Sequence, residues 1–275
     1  MRYLIIVAAF VLGMNSLQAQ RGWELGALGG VSHYFGDLNT NFRLSDPGGA
    51  FAVAARFNFN ERVCLRFSAN YGRVSASDAD SDNLFEQARN LSFQSDLLEG
   101  NAQLEFNFLP YFHGSADEFF TPYLLAGLST VYYNPMTEYE GNLIELRSLG
   151  TEGQFKGEEY RLTSLALNYG IGFKFDLGYY WSMNVELSGR RMATDYLDDV
   201  SSVYADKDDI EQIRGELGAI LSDRSISVDG VDTSLLTEPG RQRGNASTND
   251  NYAYLRVGFM YYFGTLKCPG YGSRK

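Results

Sequence analysis

Apolar and polar positions alternate with a period of two along residues 251–263. Ala253, Leu255, Val257, Phe259, Tyr261 and Phe263 share one face, and Tyr252, Tyr254, Arg256, Gly258, Met260 and Tyr262 share the other. That period belongs to an extended strand with one apolar face. It recurs along 23–35, 50–59, 63–75, 97–108, 121–133, 162–175 and 181–191. Each stretch reaches the roughly 9–11 residues a tilted strand needs to cross a bilayer. The connections sort by parity. Residues 58–62, 109–119 and 176–180 are short, whereas 36–49, 76–95, 134–161 and 192–250 are long and polar. A soluble sandwich has no reason to sort its loops this way. The pattern predicts an all-β fold: an eight-stranded antiparallel up-and-down transmembrane β-barrel with long extracellular loops and short periplasmic turns.

The aromatic residues sort similarly. Phe57, Phe59, Phe106, Phe108, Phe173, Phe175, Trp181, Tyr261 and Phe263 fall at the short-turn end, and Phe259 lies just inside it on the closing strand. Tyr71, Tyr132, Tyr133 and Tyr252 fall at the long-loop end. Two girdles at the headgroup levels are expected. The opposite strand face carries Glu24, Arg56, Arg66, Glu99, Glu105, Lys174, Glu186, Arg190 and Arg256. An eight-stranded barrel is just wide enough for side chains to fill. Unpaired buried charge is strongly unfavourable, so these nine are expected to form a lumenal ion-pair network rather than line a small pore. In the last long loop, Ile210, Ile213, Leu217, Ile220 and Leu221 make one helical stripe, predicting a short amphipathic helix that lids the barrel mouth.

The first residues qualify the compartment. Arg2, the apolar run 4–12 and Leu17-Gln18-Ala19 read as a secretory signal over 1–19, ahead of a barrel over 20–264 and a tail over 265–275. The apolar run falls short of the roughly 20 residues of a spanning helix. An outer-membrane location with both termini periplasmic follows. The net charge of −11 argues against nucleic-acid binding, and the 2 cysteines are too few for a disulfide scaffold.

Candidate chemistry is sparse, and neither enzymatic activity nor a cofactor is expected. Ser32, His33 and Asp37 are local neighbours, with His33 best read as a rim residue. His113 belongs to the opposite rim. Asp78, Asp80 and Asp82 start like a calcium loop, but Asn83 and Arg89 stand where such a loop needs Gly and a bidentate Glu. A solvated acidic loop is the better reading.

Four stretches carry a family resemblance: His33-Tyr-Phe-Gly-Asp-Leu-Asn39, Asp195-Tyr-Leu-Asp-Asp-Val-Ser-Ser-Val-Tyr204, Gly240-Arg-Gln-Arg-Gly-Asn245 and Lys267-Cys-Pro269. Together they resemble the PorG-like outer-membrane barrels of the type IX secretion system in Bacteroidota. The resemblance implies a non-enzymatic protein-transport component that anchors a periplasmic ring, built from a PorK-like lipoprotein and a PorN-like partner, to the outer membrane. The periplasmic surface would then be 58–62, 109–119, 176–180 and the tail, with Pro110, Tyr111, Lys267, Cys268 and Pro269 as contact candidates. Cys268 could form a disulfide with a periplasmic partner or, alternatively, with Cys64. Outer-membrane lipid is the other expected partner. The alternative function is a surface barrel acting as an adhesin or envelope stabiliser.

Overall fold

Alternation of Leu, Val and aromatic residues with polar ones builds long strands that pair edge to edge. The computed structural model describes residues 21–231 and 236–264. The strands are β1 (Gly22–Phe35), β2 (Gly48–Asn58), β3 (Val63–Ser77), β4 (Ser92–Asn107), β5 (Phe120–Tyr132), β6 (Pro135–Tyr139), β7 (Asn142–Glu145), β8 (Thr163–Asp176), β9 (Trp181–Met192) and β10 (Asn251–Phe263). The sheet runs β3-β2-β1-β10-β9-β8-β5-β4 and closes on itself through β3–β4, while β6 and β7 add a hairpin beyond β4. All pairs are antiparallel, and β1 meets β10 from Trp23↔Phe263 to Phe35↔Asn251. The eight-stranded up-and-down barrel is therefore closed, which removes every free edge.

Its polarity is inverted relative to a soluble protein. The largest fully buried side chains begin with Arg56, Arg66, Arg190 and Arg256, whereas Leu25, Phe67, Leu104, Leu128, Leu167, Ile171, Leu187 and Val257 are exposed. Monomeric soluble proteins expose apolar patches of only a few hundred Å². This outer face encircles the molecule, so it is built to be solvated by lipid, and the barrel spans a membrane. No helix among the described residues is long and apolar enough to cross one. Trp23, Phe59, Phe106, Phe108, Phe173, Trp181 and Phe263 stand exposed at the short-turn end, as a girdle should. At the other end the girdle is thinner than its sequence pattern predicts. Tyr71 and Tyr132 face out, but Tyr133 and Tyr252 are buried inside the mouth. Their parity along the strand is that of the lumen, and it decides against their aromatic character.

The outer loops hold more structure than polar composition suggests. β3 and β4 continue beyond the predicted strand ends, to Ser77↔Ser92. The loop between them forms a short 3-10 turn and helix α1 (Leu84–Arg89), whose N-cap Asn83 accepts from the Phe85 amide. Asp78 is not solvated. It is buried and takes two guanidinium bonds from Arg89, at 2.7 and 2.8 Å. The lid helix is two helices, α2 (Lys207–Arg214) and α3 (Glu216–Ser222), because Gly215 at φ +87° breaks the helical path. Ile210 and Leu221 are buried, and Leu217 packs onto an apolar cluster that includes Tyr34, Leu38, Leu97, Val131, Leu149, Leu197 and Tyr252. The mouth is thus capped by a compact apolar core resting on a charged lumen.

Candidate functional site

Inward parity brings all nine predicted lumen charges into the barrel, and the four carboxylates join the five cations in chains. Glu24 pairs with Arg56 (2.9 Å), Arg56 with Glu105 (2.9 Å), and Glu105 with both Arg66 (3.1 Å) and Lys174 (2.8 Å). Arg66 also pairs with Glu186, which holds Arg256 at 2.8 Å, and Arg190 pairs with Glu99 at 3.0 Å. Neutral groups add further bonds to these ions. Arg56 donates to Asn184 (2.7 Å), Arg256 to Asn70 (2.8 Å), Lys174 to Asn107 (2.9 Å), and Tyr123 to Glu186 (3.0 Å). The Tyr123 ring lies across Gly172, where a Cβ would come within 2.4 Å of it. Such paired, hydrogen-bonded charge fills the lumen with side chains. Cys64 is buried in the same lumen, 3.7 Å from Lys174 Nζ.

The short-turn end is plugged. Residues 109–119 fold under the barrel and place the His113 imidazole 3.0 Å from Asp176 and 3.3 Å from Glu24, stacked on Tyr262 with ring centres 4.6 Å apart. Burial alone would lower the His113 pKa. The bonds to Asp176 and Glu24 outweigh it and hold the pKa above its ordinary value. Tyr111 is buried in this plug and presents little surface to a partner, contrary to its expected role as a contact, while Pro110 is half-buried. Leu109, Phe119, Leu177, Tyr179 and Tyr180 are among the residues exposed at this end. Lys267, Cys268 and Pro269, the signal segment 1–19 and the tail 265–275 lie outside the described residues.

The long-loop end gathers the motif residues. Three of the four stretches quoted for the family resemblance converge at the mouth. Tyr34 contacts Asp198 (2.5 Å) and Asp250 (2.8 Å), and Asp37 accepts from the Asn245 amide (2.7 Å). Arg243 pairs with Glu152 (3.1 Å) and lies 3.7 Å from Asp199, whose carboxylate also accepts from Thr151 and Tyr160. Arg89 donates to the carbonyls of Asp37 (2.8 Å) and Arg243 (2.6 Å), fastening α1 to the first and last outer loops. Burial raises the Asp198 and Asp250 carboxyls well above their ordinary range, and neighbouring carboxylates push them further. Burial also lifts Asp199 to about 6 despite Arg243, and Asp195 to about 7 with help from Asp37 and Glu152. This buried constellation is missed by motif reading because its members come from distant loops. The signal for it was present as Tyr34, Asp198 and Arg243, each inside a quoted stretch. No group of three or more metal-ligating side chains occurs among the described residues. His33 stands at the outer rim and forms no triad with Ser32, whose hydroxyl bonds to the Arg73 carbonyl.

A family model described as "Domain of unknown function (DUF6089)" matches residues 2–231. No curated protein is significantly similar in sequence. Among solved structures, Neisserial surface protein A is 13% identical with TM-score 0.44, covering 88% of this chain and 97% of that one. The attachment invasion locus protein Ail of Yersinia pestis is 11% identical with TM-score 0.39, covering 90% and 100%. OprG of Pseudomonas aeruginosa is 12% identical with TM-score 0.39, covering 91% and 100%. At these values the likeness carries nothing about ligand, partner or activity.

Proposed function

The chain belongs to the DUF6089 family, and we propose that it is a non-conducting, non-enzymatic scaffold of the outer membrane that anchors a periplasmic secretion ring of the type IX kind. The observation that carries the scaffold reading is the continuous chain of buried ion pairs from Glu24 through Arg56, Glu105 and Arg66 to Glu186. A lumen filled in this way leaves function to the two ends. Ring binding is supported by the sequence resemblance, and the same proposal puts both termini on the periplasmic side. On that side Leu177, Tyr179 and Tyr180 replace Tyr111 as contacts for a ring protein. A disulfide through Cys268 belongs to the same proposal. Non-reducing electrophoresis of native membranes tests it: an adduct lost in Cys268→Ser and kept in Cys64→Ser is expected.

A second reading is favoured by the folded cap, which presents a large structured surface outward. An adhesin or envelope-stabilising barrel would use that surface. Deletion of the gene separates the two. Loss of secreted cargo from the medium, with copurification of ring proteins on the tagged barrel, is the expected result. Normal secretion with altered adhesion would overturn the secretion reading.

A further inference from the structure

A pocket of about 500 Å³ opens on the outer rim, between the first outer loop, α1 and the last outer loop. Its walls are preformed by buried bonds. Arg89 joins all three, the Asn245 amide donates to Asp37, and Thr40 donates to Glu86 on α1 at 2.9 Å. Gly244 is closed in so tightly that a Cβ would meet Asp37 Oδ2 at 2.5 Å and Ser201 N at 2.6 Å.

The lining has a distinct chemistry. Its charged groups are already engaged: Arg89 by Asp78, Arg243 by Glu152, Glu86 by Thr40 and Ser81, and Asp37 by the Asn245 amide. What remains is uncharged. Among the described residues, the Gln242 amide and the side-chain oxygens of Asn249 and Asn251 make no hydrogen bond within the chain, and all three residues line the pocket. Beside these amides stand aromatic rings left in solvent. Phe42 is 74% exposed and Phe85 44%. Phe42 is held at φ +52°, a left-handed conformation unusual for a bulky residue. Asn39 fixes that turn by bonding the Arg43 amide and carbonyl, at 2.8 and 2.9 Å, and the Phe42 ring rests 5.2 Å from Phe35. Strain of this kind persists where surrounding structure enforces it, commonly at binding sites.

Ring faces beside neutral amides suit a ligand with apolar C–H faces and many hydroxyls, which is the chemistry of a saccharide. Position narrows the source. Phe35 ends β1, pairs with Asn251 at the start of β10, and belongs to the lipid-facing parity. The pocket therefore opens where the strands leave the hydrocarbon, at the level of the outer-leaflet headgroups. We propose that it is a saccharide-binding site whose occupant is the sugar headgroup of an outer-leaflet glycolipid. This does not rest on the secretion reading, because a barrel that binds no sugar could still anchor a ring.

The test is calorimetric titration of the full-length protein in detergent, first with lipid-free oligosaccharide released from a lipopolysaccharide, then with the intact lipopolysaccharide. The oligosaccharide is expected to bind, and Phe42→Ala with Phe85→Ala to weaken it about tenfold or more. The corresponding Trp variants restore binding. Phe155→Ala, in another outer loop and also exposed, leaves it unchanged, which assigns the loss to the two pocket rings rather than to exposed aromatics in general. A parallel loss with the intact glycolipid identifies the membrane source. No binding of the oligosaccharide, or equal binding by the double variant, overturns the proposal. So does binding of the intact glycolipid alone, indifferent to both rings.

Discussion

Tyr34 has one hydroxyl proton and two carboxyl oxygens within hydrogen-bond reach, on Asp198 and Asp250. That proton can serve only one of them, so the other contact requires a proton on a carboxyl group. The raised Asp198 and Asp250 carboxyls fit this count. The sign follows from linkage. A folded state that raises a carboxyl pKa binds extra protons, so its stability is full below the ordinary value near 3.8. It is lost as pH rises through the folded values, about 6 for Asp199 and about 7 for Asp195. Hydrogen exchange across residues 195–204, corrected for intrinsic rates, should show a tighter cap at pH 5 than at pH 8. Asp250→Asn should flatten that dependence and tighten the cap at pH 8, since an amide supplies the missing hydrogen to Tyr34 while its oxygen accepts from the Leu197 amide. Magnitude separates lumen from rim. Glu186→Gln strands Arg66 and Arg256 without their shared counterion and should cost about 3–5 kcal/mol in urea unfolding from detergent. Arg73→Ala breaks an exposed pair with Asp96 and should cost about 1 kcal/mol or less. At this scale the lumen charges were legible because strand parity alone assigns them. The same parity would have placed Tyr133 and Tyr252 inside, had it been given precedence over aromatic character.

Among the elements, the barrel strands were readable to within a few residues because each repeats its period over a bilayer's thickness. The elements outside the bilayer lack that length. β6 and β7 are short, and their signal is the turn between them, where Glu140 (φ 49°) and Gly141 (φ 76°) take the paired positive φ of a tight hairpin. The plug of 109–119 has no local sequence signal, because its anchors, Glu24 and Asp176, lie far away in the chain. His113→Ala should release it. Cleavage within 109–119 by a protease added from the short-turn side should rise several-fold, with the barrel strands still protected, as expected for loss of the charge-assisted bonds to Asp176 and Glu24. The plug should also loosen in the unmodified protein as pH rises through the elevated His113 pKa, because a raised imidazolium contributes stability only while protonated.

As a whole molecule the chain is a cylinder turned inside out, with guanidinium groups in its core and leucine and phenylalanine on its surface. That inversion was visible in the sequence, and it requires a lipid surround. The mouth was not visible, because its core is assembled from four loops whose polar composition conceals the few apolar residues that pack. The two ends then have different characters: a small plugged face below, and above it a rigid cap with a pocket at the lipid headgroup level. Both assignments depend on a lumen filled by paired side chains. Planar-bilayer recording of the purified, detergent-solubilised protein tests that directly. Current should stay at the level of the bare membrane across the applied voltage range, and stable stepwise openings would contradict the filled lumen and the scaffold reading with it.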